Sequence, residues 1–122
     1  MLRIKRAYES KESSDGKRIL IDRLWPRGVS KSEASIDEWL KDLGPSTDLR
    51  KWFRHDPEKW EEFKKRYRKE LSAPDKVTLL ENIARSADHA NVTLIYSAKD
   101  TEHSDVKVLE ELIAKIMKNV HT

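Results

Sequence analysis

Two arginines four positions apart, Arg23 and Arg27, stand in the heptapeptide Asp22-Arg23-Leu24-Trp25-Pro26-Arg27-Gly28, which brings a carboxylate, two guanidinium groups and an indole into one short stretch. A second polar segment, Ser97-Ala98-Lys99-Asp100-Thr101-Glu102-His103, contributes hydroxyls, an amine, two carboxylates and an imidazole. A guanidinium offers a planar fork that matches phosphate or carboxylate, and an ammonium offers a compact point charge. Arg23, Arg27 and Lys99 are therefore candidates for holding an anion. Ser97 adds a hydroxyl, and Trp25 adds a flat apolar wall on which a base or sugar can stack. An imidazole titrates near neutral pH, so His103, with Asp100 as its orienting carboxylate, is a candidate general acid or base, and Asp22 is a further proton-transfer candidate.

Each of these residues also has a purely structural reading. Arg23 and Arg27 can pair with Asp22, Asp37 or another carboxylate and simply tie the loop down. Trp25, preceding Pro26, can anchor its loop against the core, and His103 can be an exposed residue next to a helix start.

Composition removes several chemistries. The chain has no Cys, so it forms no disulfide and has no thiolate nucleophile. Its four His are scattered without ligand spacing, and no cofactor motif is recognisable, so no metal and no cofactor are expected. Lys and Arg number 25 against 22 Asp and Glu, and the signs intermingle, which disfavours nucleic acid as a partner. The basic run Lys64-Lys65-Arg66 with Arg68 and Lys69 shares its segment with Glu58, Glu61, Glu62 and Glu70, and reads as a solvated helix face. No apolar run approaches the roughly 20 residues of a membrane span, and the start Met1-Leu2-Arg3-Ile4-Lys5-Arg6 lacks the apolar stretch of a signal peptide, so a cytoplasmic location is expected.

The elements that must position these residues follow from periodicity. Leu2 to Arg6 alternates apolar and basic residues, as a strand does. Arg18 to Leu24 reads as a second strand, and its run Ile19-Leu20-Ile21 has no polar alternation, which suits a strand covered on both faces in a parallel or mixed sheet. From Ser30 to Leu43 two readings stay open: one helix carrying Ile36, Trp39, Leu40 and Leu43, or a short helix at Lys31–Ala34 followed by an extended segment. Ser46 can cap a short helix bearing Leu49, Trp52 and Phe53. Asp56-Pro57 opens a helix with Trp60, Phe63, Tyr67 and Leu71 on one face, and Glu61–Lys65 and Glu62–Arg66 as i, i+4 pairs on the other. Pro74 opens another helix with Val77, Leu80, Ile83, Ala84 and Ala87 along its stripe. Asn91 to Tyr96 is a strand, and Ser104 is positioned to cap a terminal helix with Leu109, Leu112, Ile113, Ile116 and Val120 facing the core. The 122 residues thus predict a single α/β domain, a small, mostly parallel or mixed sheet covered by amphipathic helices. Asp22 and Ser97 then follow the carboxyl ends of strands, the edge where ligands usually bind.

The segments Lys5-Arg6-Ala7-Tyr8, Asp22 to Gly28, Trp39 to Ser46, Arg50-Lys51-Trp52-Phe53, His55-Asp56-Pro57 and Tyr96-Ser97-Ala98-Lys99-Asp100 together resemble the YeaO-like branch of the domain of unknown function 488 family. The resemblance spans nearly the whole chain. It implies that Arg6, Asp22, Arg23, Trp25, Arg27, Lys99, Asp100 and His103 belong to motif segments, and adds Trp39, Lys41, Ser46, Arg50 and Trp52 as pocket-wall candidates. Wider relatives carry Cys-containing motifs near the carboxyl terminus. This chain has Ser97 and His103 in that neighbourhood, so a thiol mechanism does not transfer.

The leading expectation is a pocket for a small phosphorylated or carboxylated ligand, a nucleotide included, held by Arg23, Arg27 and Lys99 and shaped by Trp25 or Trp52. The sequence leaves open whether the domain is an enzyme. If it catalyses a hydrolytic or transfer reaction, Asp22, Asp100 and His103 are the proton carriers. The alternatives are a nucleic-acid-binding or regulatory module that contacts phosphates through Arg and Lys, and a structural or interaction domain in which these polar groups pair internally.

Overall fold

A computed structural model describes residues 1–120, without the side chain of Val120. In chain order the elements are β1 (Leu2–Arg6), β2 (Lys17–Leu20), α1 (Lys31–Ala34), β3 (Glu38–Trp39), α2 (Thr47–Phe53), α3 (Trp60–Glu70), α4 (Pro74–His89), β4 (Val92–Tyr96) and α5 (Asp105–Val120). The strands form one four-stranded sheet among the described residues, in the order β1-β4-β2-β3, and every pairing is parallel. β4 lies between β1 and β2, with Leu94 level with Ile4 on one side and Ile19 on the other.

The central strands are buried on both faces, and the two faces are covered differently. Ile19, Ile21, Val92, Leu94 and Tyr96 point into the main core, which is completed by Leu49 and Phe53 of α2, Phe63 and Tyr67 of α3, Leu80, Ile83, Ala84 and Ala87 of α4, and Val106, Leu109 and Ile113 of α5. The opposite face is smaller. Leu20, Ile95 and Ala7 are covered there by Trp25, Ile36 and Trp39 rather than by long helices. Both sides of Ile19-Leu20-Ile21 are thus covered by apolar groups, which is why this run shows no alternation.

The open segment resolves as the short helix α1 followed by extended chain. Ser30 Oγ accepts from the Glu33 amide, Ser35 closes the helix in a left-handed conformation, and Glu38–Trp39 joins the sheet edge beside Ile19 and Leu20. The second strand ends at Leu20, earlier than its apolar run suggests, because β3 pairs only that far and the chain then turns into the loop. Two caps form as the residue types predict, Ser46 Oγ accepting from the Leu49 amide and the Asp56 carboxylate from the Glu58 amide. Pro57 begins a short 3-10 turn, Pro57–Lys59, before α3 proper. On the outer face of α3, Glu62 pairs with Arg66 at 2.9 Å, but Glu61 pairs with Lys64 instead of Lys65. The Lys64 ammonium sits 5.6 Å from the Trp60 ring centroid, a cation–π contact that holds it on that side.

A buried polar network supports the smaller face. Arg18, with no exposed surface, donates to Asp15 and, through Nε and Nη2, to the Ala34 carbonyl. Lys5 reaches the Asp15 carboxylate at 3.2 Å, and Thr93 Oγ1 donates to the Asp15 carbonyl at 2.7 Å. Burial disfavours charge on Asp15, but the Glu12 amide and the Lys5 and Arg18 cations outweigh it and hold the carboxyl below its ordinary value. Gly16 follows at φ +63°, where a Cβ would lie 2.1 Å from the Asn91 carbonyl oxygen. Only glycine permits this close approach of the turn to the start of β4.

Candidate functional site

The loops after β1, β2 and β4 leave the same edge of the sheet, because parallel strands all point one way. Beside them lies a cleft of about 700 Å³, within the range of small-molecule sites. The β1 loop contributes Tyr8, and the β2 loop contributes Asp22 to Arg27. Gly44, Pro45, Thr47, Arg50, Lys51, Phe53 and His55 come from α2 and its flanks, and Phe63 from α3. The remaining wall is Ser97, Ala98, His103, Ser104 and Asp105, from the segment between β4 and α5.

Asp22 joins two of these loops. Its Oδ2 accepts from the Ser97 amide at 3.0 Å and from Ser97 Oγ at 2.6 Å. Burial nevertheless raises its carboxyl above the ordinary value, against those two donors. Trp39 Nε1 donates to the Asp22 carbonyl at 2.6 Å, so the small strand β3 fixes the backbone from which the carboxylate projects. Arg6 straps the other loop: its Nε donates to the Ala98 carbonyl and its Nη2 to the Ser97 carbonyl, both at 3.0 Å. It therefore shapes the cleft from outside its lining.

The cationic wall is built from two directions. Arg23 Nε donates to the Pro45 carbonyl at 2.9 Å, which fixes the side chain and leaves its two terminal amino groups without a protein partner among the described residues. Arg50 and Lys51 come from α2, whose start is held by Glu70 through bonds from the Ser46 amide and hydroxyl at 2.8 and 2.6 Å. Tyr67 donates its buried hydroxyl to the Leu43 carbonyl and so pins the turn leading to Gly44 and Pro45. Among the described residues, none of Arg23, Arg27, Arg50 and Lys51 forms an ion pair with a carboxylate. Asp37, a suggested partner for the arginines, instead accepts from the Arg18 amide.

Trp25 both lines the cleft and anchors its loop. Its Nε1 donates to the Val29 carbonyl at 2.6 Å, and its ring meets Trp39 edge-on at 5.5 Å. His103 Nδ1 lies 2.9 Å from Asp100 Oδ2, and its ring stands edge-on to Trp60 at 5.5 Å. That hydrogen bond lowers the Asp100 carboxyl. The pairing foreseen for Asp100 and His103 is thus present, with His103 on the cleft lining and Asp100 behind it. Lys99 is exposed and off the lining. Trp52 is also off it, lying beneath the Arg66 guanidinium at 4.2 Å and the Lys59 ammonium at 5.2 Å.

The residues that periodicity did not nominate lie at the start of α5. Ser104 is in position to cap, but its buried Oγ has no hydrogen-bond partner. Asp105 opens the helix, and the backbone amides of Asp105 and Val106 favour the ionised form of its carboxyl. The residue borders the cleft and is half-buried there. This burial, reinforced by the negative charge of Asp22, pushes the carboxyl up to about 7, against the two amides and the Arg50 cation. An Asp in the first turn of a helix ordinarily only complements the helix dipole, which is why its type and position gave no signal. Among the described residues, no three His, Asp or Glu side chains are grouped as a metal site requires. No helix there is long and apolar enough to cross a membrane.

Comparison with known proteins agrees with the resemblance carried by the motif segments. Residues 1–121 match the family model DUF488-N3i, described as "Inactive DUF488-N3 subclade". The chain belongs to this subclade of the DUF488 family. It is 38% identical over 115 residues to the "Uncharacterized protein YeaO" of Escherichia coli, covering 94% of this chain and 98% of that protein. It is 36% identical over 112 residues to the "Uncharacterized protein Rv3073c" of Mycobacterium tuberculosis, covering 92% of each. No solved structure gives a significant match. This DUF488 domain therefore shares nearly its full length with both relatives.

Proposed function

We propose that this DUF488 domain binds a small anionic ligand, a phosphate ester, nucleotide or carboxylate, in the cleft at the carboxyl edge of its sheet. The observation that carries this reading is the convergence of Arg23, Arg27, Arg50 and Lys51 on one cleft without carboxylate partners. Unpaired guanidinium groups beside aromatic walls favour a planar oxyanion. The description of the subclade as inactive supports a binding role over a catalytic one. Lys99 has no part in this version of the site, and Arg50 takes its place. Lys64, Arg66 and Arg68 of α3 are engaged by Glu61, Glu62 and Glu111, which disfavours nucleic acid as the partner. A cytoplasmic setting, where small phosphorylated compounds are plentiful, fits the cysteine-free composition.

Three charge-assisted hydrogen bonds at about 1.5 to 3 kcal/mol each compete with an association cost of at least about 4 kcal/mol. Inorganic phosphate alone should then bind weakly, and a larger ligand better. A thermal-shift screen of phosphate, nucleotides, sugar phosphates and dicarboxylates at low salt tests this. The expected result is stabilisation by at least one class, reduced in Arg23→Ala and Arg50→Ala. No response from the wild type, or an equal response from both variants, overturns it.

A further inference from the structure

The cleft that we propose for an anion is also lined by groups of different chemistry. Asp22, Ser104 and Asp105 belong to the same lining as the arginines, and the carboxyl groups among them do not suit a phosphate. Two features show what these groups suit. Asp22 has spent Oδ2 on Ser97, while no protein donor reaches its Oδ1 among the described residues. The buried Ser104 hydroxyl, 3% exposed on a residue that lines the cleft, has no partner. A buried hydroxyl left unpaired costs free energy, so in native proteins such a group normally finds a partner.

We infer that Asp22, Ser104 and Asp105 form a subsite for hydroxyl groups, so that the ligand is a phosphorylated sugar or polyol, the ribose phosphate part of a nucleotide included. This rests on the anion reading of the same cleft and specifies the ligand's other end. A sugar hydroxyl both donates and accepts. So does the Ser104 hydroxyl, and so does a carboxyl that retains its proton, as the Asp105 carboxyl does in part at neutral pH. The groups that set this protonation, beside burial, are Asp22 from the β2 loop, the backbone amides at the start of α5 and Arg50 from α2; Tyr67 of α3 lies in the same cluster, its own hydroxyl raised by burial and by Asp105. An ammonium group would instead favour two ionised carboxylates, and that is the competing outcome.

Calorimetric titration at pH 7 and low salt with inorganic phosphate, ribose 5-phosphate and phosphoethanolamine separates the possibilities. Ribose 5-phosphate should bind about tenfold or more tighter than phosphate, the equivalent of one to two added hydrogen bonds. Asp105→Leu, of similar shape without polar atoms, should abolish that advantage, so that phosphate and ribose 5-phosphate bind it alike. Asp105→Asn, which keeps a donor and an acceptor, should retain most of it, so a gap lost in both variants would overturn the hydroxyl assignment. Arg50→Ala should weaken phosphate and ribose 5-phosphate together. Equal affinity of the wild type for the two, or tighter binding of phosphoethanolamine, overturns the subsite while leaving the anion site standing. Failure of wild type to bind any of the three overturns both.

Discussion

Replacing Asp105 by Asn should make the protein more stable than wild type at alkaline pH and nearly equal to it in acid. The folded carboxyl titrates at about 7 and the ordinary value is 3.8. Because the folded value is the higher one, the folded state binds the proton more tightly. Below about pH 4 both states are protonated and the group costs nothing. Between about pH 4 and pH 7 the unfolded carboxyl ionises while the folded one holds its proton, so the penalty grows, and it levels off above 7 where both states are charged. At about 1.4 kcal/mol per pH unit, the full displacement corresponds to about 4 kcal/mol, of which about 2 to 3 kcal/mol develops between pH 5 and pH 8. Access of water through the open cleft lowers the observed figure, so about 1 to 3 kcal/mol is expected. Asn keeps the shape and carries no charge. Urea unfolding of both proteins at pH 5 and pH 8 measures the effect as a gap in midpoint that widens with pH. A gap independent of pH, or a variant destabilised equally at both, would refute the placement of a buried, proton-retaining carboxyl at the start of α5.

Other parts of the fold make equally definite demands. Asp15→Asn leaves Arg18 buried without its counter-charge and should cost about 3 to 5 kcal/mol in urea unfolding; in the wild type, the stability from this depressed carboxyl should be lost as pH falls below its ordinary value of 3.8. Gly16→Ala places a methyl against the Asn91 carbonyl and forces a positive φ, so thermal denaturation should show a loss of more than about 1 kcal/mol. Tyr67→Phe strands the Leu43 carbonyl and should cost about 1 to 3 kcal/mol, with increased hydrogen exchange in the turn Lys41–Leu43.

Much of this architecture was legible because local chemistry and tertiary packing agree. Ser46 and Asp56-Pro57 are caps by residue type and caps in the structure, and the uninterrupted Ile19-Leu20-Ile21 reports a strand covered on both faces. The segment from Ser30 to Leu43 was ambiguous because Ile36 and Trp39 fit helical spacing, yet they are spaced that way to cover Leu20 and Ile95 from a loop and an edge strand. The site was legible where it follows a strand: Asp22 and Ser97 meet because β2 and β4 are neighbours. It was illegible where side-chain direction decides. Lys99 and His103 share a loop, but only His103 reaches the cleft, and of the wall candidates Trp39, Lys41, Ser46, Arg50 and Trp52 only Arg50 lines it. The proton held by Asp105 depends on burial and on Asp22, neither of which is written in its own neighbourhood.

The central claim is that the cleft's arginines hold an anion, and their own side-chain resonances report it most directly. In a nitrogen-15-labelled protein titrated with phosphate and ribose 5-phosphate at low salt, the Nε–Hε signals of Arg23, Arg27 and Arg50 should move together and saturate at one affinity. Those of Arg54 and Arg85, which lie off the cleft lining, should stay in place. Equal drift of all the arginines, or no movement at Arg23, Arg27 and Arg50, would contradict the site.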